Sequence, residues 1–159
     1  MLSRLLGRNK NEPKAPAEKA VPAPEIIELK WENRPPEARY LGYNVGPDGI
    51  TGGAQEVVGV KYYRENLERL CAGHSGSLDI RTEALLVPEA DNPHDPNAVR
   101  VDVVGLTVGH LPKEDAVAFR KRHRKTIAAQ TPIMCAARVR KKIGTSQVFY
   151  YVHLETDLE

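Results

Sequence analysis

The run Asp91-Asn92-Pro93-His94-Asp95-Pro96-Asn97-Ala98-Val99-Arg100-Val101 and, a few residues on, Val108-Gly109-His110-Leu111-Pro112 hold most of the chemistry this chain offers. Carboxylates, amides and an imidazole crowd a turn that feeds an alternating strand, so a rigid sheet would present polar groups at its rim. Asp91, Asp95 and Asp102 with His94 and His110 could be drawn as a magnesium nuclease, which needs carboxylates converging on one or two ions. That convergence is not expected. Asp102 alternates with inward valines, and Asp91 and Asp95 share one short proline-bound turn. Asn92 and Asp95 also form turns well through local side-chain to backbone hydrogen bonds. His74, Ser75 and the two cysteines make no nucleophile elbow or paired base, so the chain reads as a binding protein and not an enzyme.

The elements that must position these groups follow from periodicity. Val57 to Tyr62 reads as a buried strand; Tyr63, Leu67, Leu70 and Cys71 then recur at helical spacing until Gly73. Residues 80–87 and 99–104 alternate as strands, and Leu106 to Leu111 returns as a hairpin partner after Gly105. Pro112 opens a helix with Glu114 and Asp115 in its first turn, and Ala116, Phe119 and Ile127 supply its apolar stripe. Residues 133–139 and 148–154 close the chain as a hairpin around Lys141 to Thr145. The expectation is a mainly β fold with short helices: a small six-stranded β-barrel with two α-helices, not a parallel α/β sheet.

With 159 residues and 41% apolar composition, one core is expected. Residues 1–24, with Pro13, Pro16, Pro22 and Pro24, read as a disordered tail; residues 25–54 as an irregular extension in which Trp31 is a docking anchor; residues 55–159 as the barrel domain. No run is long and apolar enough to span a membrane or make a secretory leader. The expected compartment is the cytoplasm. Cys71 and Cys135 signal neither a disulfide framework nor a zinc site, and no cofactor motif is present. Positive charge collects late: residues 113–159 hold 10 Lys and Arg against 5 Asp and Glu. Arg120, Lys121, Arg122, Arg124 and Lys125, with Arg140, Lys141 and Lys142, form the footprint of a polyanion or, equally, a solvated helix end and a charged hairpin.

The order Val-Val-Gly-Val-Lys-Tyr-Tyr (57–63), Glu89-x-x-Asn92-Pro93-His94-Asp95-x-Asn97-Ala98-Val99-x-Val101 and Val108-Gly109-His110-Leu111-Pro112 resembles the HIRAN domain over about residues 56–154. The resemblance implies an OB-like β-barrel that captures the 3′ end of single-stranded DNA and performs no reaction. By position it implies that Tyr62 or Tyr63 stacks on terminal bases and that Lys61 meets phosphate. Asn92, His94 and Asp95 would form the end pocket, Asp95 accepting from the 3′-hydroxyl, while His110 and Lys113 contact phosphate from the opposite lip. His94 stands where domains fused to translocases usually carry an aromatic residue, and Arg64 to Leu78 is a longer insertion whose helical phase draws Tyr63 toward the core. No residue here separates DNA from RNA by reading a 2′-hydroxyl. Such a domain would act in repair, replication or phage defence through a partner enzyme, a helicase or nuclease among them, or by occluding the end. A different reading is a protein-interaction adaptor with residues 1–54 as its tether.

Overall fold

A computed structural model describes residues 20–42, 54–156 and 158. Most of the expected tail (residues 1–19) and the Gly46-Pro47-Asp48-Gly49 and Gly52-Gly53 loops lie outside the described residues. In chain order the elements are β1 (Glu25–Glu28), β2 (Arg39–Leu41), β3 (Ala54–Glu56), a 3-10 turn (Val60–Tyr63), α1 (Arg64–Leu70), β4 (Leu78–Pro88), β5 (Val99–Val103) and β6 (Leu106–His110). α2 (Lys113–Arg122), α3 (Arg124–Ala128), β7 (Ile133–Ile143) and β8 (Val148–Glu155) complete the chain.

The strands form one curled sheet in the order β3-β8-β7-β4-β5-β6, antiparallel throughout that path. Its inner face follows from period-two alternation: Ile80, Ala84 and Leu86 on β4, Val99, Val101 and Val103 on β5, and Val139 and Val152 on the last hairpin are all buried. Phe119 of α2 and Leu67 of α1 cap this core and are fully buried with it. The β5–β6 turn is the two-residue pair Val104-Gly105, with φ of 49° and 77°, the positive pair whose twist matches a tight hairpin.

Val57 and Val58 close the barrel. Val57 donates its N–H to the Val152 carbonyl of β8 at 3.0 Å, while Val58 and His110 of β6 exchange both backbone hydrogen bonds at 2.9 and 3.0 Å. The sequence pattern predicts a strand from Val57 to Tyr62, and here the structure differs. The extended chain stops at Val58 because Gly59 takes a left-handed φ of 73° and starts the 3-10 turn. Continuing straight would have carried the chain past the gap between β8 and β6.

The remaining differences come from packing that periodicity does not encode. The barrel path has the six strands expected, and the stretch expected to be irregular adds β1 and β2 off that path, so the described residues hold eight strands in all. β4 runs for eleven residues and β5 for five, leaving the first half of β4 with an open edge; β1 pairs there in parallel, Glu25 to Glu28 against Leu78 to Arg81. β2 does the same for Ile133 to Cys135 of β7, beyond the end of β8. Unpaired edges invite other chains, and these two segments cover them. Trp31 is half-buried and lines a surface cavity with Leu29, Tyr40, Arg81 and Glu83. The helix expected after Pro112 is two: His123 ends α2 and begins α3, its buried ring 4.8 Å from the Phe119 ring. No helix among the described residues is long and apolar enough to cross a membrane.

Candidate functional site

The polar turn is a closed loop set on the end of the β4–β5 hairpin. Glu89 N–H donates to the Ala98 carbonyl at 2.9 Å and shuts the loop at its base. Inside it, Asn92 Oδ1 accepts from the backbone N–H of His94 (2.9 Å) and of Asp95 (3.2 Å), and Asp95 Oδ1 accepts from the N–H of Asn97 at 2.9 Å. These are the local bonds that Asn and Asp make best, and they fix the loop without a helix or sheet. The Asn92 amide is thereby largely occupied. Asp95 Oδ2 has no hydrogen-bond partner among the described residues, and His94 is exposed.

Glu89 joins this loop to the neighbouring strands. Its carboxylate accepts from Asn92 Nδ2 at 3.0 Å, pairs with His110 Nε2 at 3.0 Å and accepts from Arg100 at 3.2 Å. Burial pushes its pKa up, but hydrogen bonds from Asn92, His110 and Arg100 and the His110 charge outweigh that and hold it below the ordinary value. Arg100 also grips Asp102 in a two-pronged pair at 2.9 and 3.0 Å, and Thr107 Oγ1 donates to the same carboxylate at 2.8 Å. Asp102 faces away from the valine core as alternation predicts, yet Arg100 and Thr107 leave it buried. Glu89 and Asp102 are thus both tied to Arg100. No group of three or more His, Cys, Asp or Glu side chains that could hold a metal ion occurs among the described residues.

On the other side of His110 lies the aromatic segment. The Tyr63 ring sits 5.9 Å from the His110 ring, half-buried, its hydroxyl pKa raised by burial and by Glu89. Tyr63 caps the start of α1 and leans on the rim instead of entering the core with Leu67. Tyr62 is 77% exposed, with Lys61 Nζ 5.0 Å over its ring. The contacts Tyr63–His110–Glu89–Asn92 therefore run unbroken from the 3-10 turn to the polar loop. Lys113, exposed, opens α2 three residues beyond His110.

The close approach that holds His110 depends on Gly109. A Cβ there would lie 2.6 Å from Val57 Cγ1 and from the Val58 carbonyl oxygen, so a side chain would wedge the closure apart. Val108 is an extra residue opposite the Val101–Asp102 step, a β-bulge that re-aims the end of β6.

The basic residues do not form one patch. Arg120 to Lys125 lie at the end of α2 and the start of α3, whose chain leads into the first residue of β7; Lys141 and Lys142 are at the other end of that strand. Eleven residues of strand separate these ends by about 35 Å. The polar loop follows the end of β4, which pairs with the start of β7, so along these two strands Lys141 and Lys142 are at the far end from it, whereas around the barrel closure the Val57–Val58 segment links His110 to β8, the partner of that end of β7. Lys141 and Lys142 also diverge: Lys141 Nζ donates to the His74 carbonyl at 2.6 Å, while Lys142 is exposed with Arg140 on the outer face.

Two residues at the centre of this arrangement, Glu89 and Arg100, are absent from the set expected by position. An acid and an arginine flank the polar turn in the sequence, but His110 falls opposite Arg100 only because of the β-bulge at Val108, which alternation does not show.

The described residues form a curled antiparallel barrel with a polar rim braced by Glu89 and Arg100. The HIRAN domain family matches residues 54–146, more than half of the chain, and the chain belongs to that family. HIRAN domains are DNA-binding modules, which supports nucleic acid as the ligand. The crystal structure of the HIRAN domain of human HLTF is similar at 19% identity, with 64% of this chain and 72% of that chain covered and a TM-score of 0.34. No curated protein matches the chain.

Proposed function

We propose that the rim binds single-stranded DNA, with preference for an end bearing a free 3′-hydroxyl, and carries out no reaction of its own. The observation that supports this most is the unbroken series Tyr63–His110–Glu89–Asn92, which joins the exposed Lys61–Tyr62 pair to a loop with an unpartnered carboxylate oxygen. Each part has a physical task. The exposed Tyr62 face offers a base platform worth about 1–3 kcal/mol, indifferent to sequence because every base has a π face. Lys61 and Lys113 take phosphate. Asp95 Oδ2 accepts the hydrogen of a terminal 3′-hydroxyl, and it repels a 3′-phosphate by like charge.

Asn92 serves this pocket by fixing it, since its amide bonds run to the loop itself. His110 does the same from β6, its Nε2 held on Glu89. The output then comes from occluding the end or handing it to a partner enzyme such as a helicase or nuclease, in repair, replication or phage defence in the cytoplasm. Asp95→Ala tests the pocket directly. Wild-type protein should bind a 3′-hydroxyl strand more tightly than its 3′-phosphate counterpart, and the variant should bind the two alike. An unchanged preference in the variant takes Asp95 out of the pocket.

A further inference from the structure

Two cavities on the barrel surface share a wall. One, of about 330 Å³, lies between the closing segment and β8 and is lined by Val58, Lys61, Tyr151 and His153 among others. The other, of about 530 Å³, is lined by Tyr151 and His153 again, by Arg140 and Lys142 of β7, and by Pro22 and Pro24 of the segment before β1. Tyr151 and His153 thus line both, so the two adjoin along β8 as a groove. It starts at Lys61, beside the rim, and ends at Arg140 and Lys142.

The register explains what this groove presents. Directly opposed residues of antiparallel strands share a face, and the pairs here are Arg138 with His153, Arg140 with Tyr151, and Lys142 with Phe149. Alternation sends the intervening residues elsewhere: Val139 and Val152 into the core, Lys141 to the His74 carbonyl, and Tyr150 under the Arg64 guanidinium at 5.3 Å. The outer face is therefore a ladder in which each rung is a cation beside a ring. Arg138 is taken up by Asp79, and Arg140 Nε lies 3.8 Å from the same carboxylate, yet Arg140 and Lys142 are exposed and Tyr151 is 42% exposed. From His110 across Val58 and Tyr151 to Arg140 is three strand spacings, about 14 Å along the surface.

We infer that this groove carries the nucleotides on the 5′ side of the captured end, a base stacking on Tyr151 while Arg140 and Lys142 hold the phosphates. The chemistry is that of a flexible polyanion with planar bases; an acidic peptide would match the cations but leave the exposed ring face unused. Tyr151, Pro22 and Pro24 lie outside the stretch that matches the family, whereas Lys61, Arg140 and Lys142 lie within it. The inference rests on the single-strand reading above. It lengthens the footprint from the end alone to several nucleotides, at the lower part of the ~4–16 that one OB fold engages.

The test uses the full chain and labelled oligodeoxythymidines of three and eight nucleotides, each with a 3′-hydroxyl or a 3′-phosphate. Wild-type protein should bind the octamer at least tenfold more tightly than the trimer. The Arg140→Gln/Lys142→Gln variant and, separately, Tyr151→Ala should lose most of that gain while keeping the preference for the hydroxyl end. Lys121→Gln/Arg122→Gln removes the same charge from α2 and should keep both. A 2-aminopurine four nucleotides from the 3′ end should be quenched by wild-type protein and much less by Tyr151→Ala. All substituted side chains are exposed, so thermal melts should be unchanged. Variants that bind the octamer like wild type, or a wild-type protein with no length gain, overturn the groove. A length gain with no hydroxyl preference overturns the end pocket instead and leaves the groove standing.

Discussion

His110 Nε2 lies 3.0 Å from Glu89 Oε2, a contact that ties the last residue of β6 to the first residue beyond β4. Two strands that are not neighbours in the sheet, with β5 between them, are thereby locked at the rim. The rigidity of the polar loop follows from this pair and from the Arg100 and Asn92 bonds to the same carboxylate.

Glu89→Ala removes an acceptor from three donors at once and leaves Arg100 and His110 partly desolvated without it. The expected cost is about 1–3 kcal/mol in urea denaturation, with a parallel loss of strand binding. Glu89→Gln should recover part of the stability, because its amide oxygen still accepts one bond. Equal binding by all three proteins would show that the loop needs no clamp.

The same carboxylate sets an acid limit. Its folded pKa is depressed, so its contribution to stability is fully present above the unfolded carboxylate range and is lost as pH falls through the lower folded value. Stability measured downward from pH 5 should fall more steeply for wild type than for Glu89→Gln. Parallel curves would contradict the assignment.

His123 acts at milder pH. Burial first, then the Arg39 and Arg122 charges, lower its pKa below the ordinary imidazole value, so the fold favours the neutral ring. The unfolded chain therefore takes up this proton at higher pH than the folded one. Stability should drop as pH falls from about 6.5 toward the folded value and level off below it. Thermal melts at pH 7.5 and 5.5 should show a smaller difference for His123→Gln than for wild type.

Gly109→Ala should cost more than an ordinary overpacking change, upward of about 1–3 kcal/mol, because one of the atoms its Cβ meets is a backbone carbonyl that cannot rotate away. Amide exchange at Val58 and His110 should speed up most, since the closure is what gives way. Protection at Thr82 and Ala137, inside the β4–β7 ladder, should change least.

Much of this fold is legible in the sequence because valines alternate: β4 to β8 are found within a few residues of where periodicity puts them. The closure at Val57–Val58 is not, since an apolar run ending in Gly59 looks the same whether the chain continues or turns. β1 and β2 are invisible for a related reason. Ile26 and Ile27 gain partners only because β4 is longer than β5, a tertiary fact with no local trace. At the rim, the Asn92 and Asp95 turn was readable from side-chain chemistry. Glu89 and Arg100 are not legible in that way, because a charge beside a turn looks solvated until His110 is placed across from it.

The two tyrosines should separate by measurement. Tyr62, being exposed, should leave stability unchanged within about 0.5 kcal/mol when replaced by alanine but weaken strand binding by about 1–3 kcal/mol. Tyr63→Ala should lower both, because its ring packs on His110. Equal stability losses for the two would contradict the placement of Tyr62 on the binding face.

The most direct measurement is fluorescence anisotropy of the full chain with one labelled sequence in three forms: linear with a 3′-hydroxyl, linear with a 3′-phosphate, and circular. Tightest binding to the 3′-hydroxyl form at both low and near-physiological salt is the predicted result. Equal binding to all three, or none even at low salt, would contradict end capture.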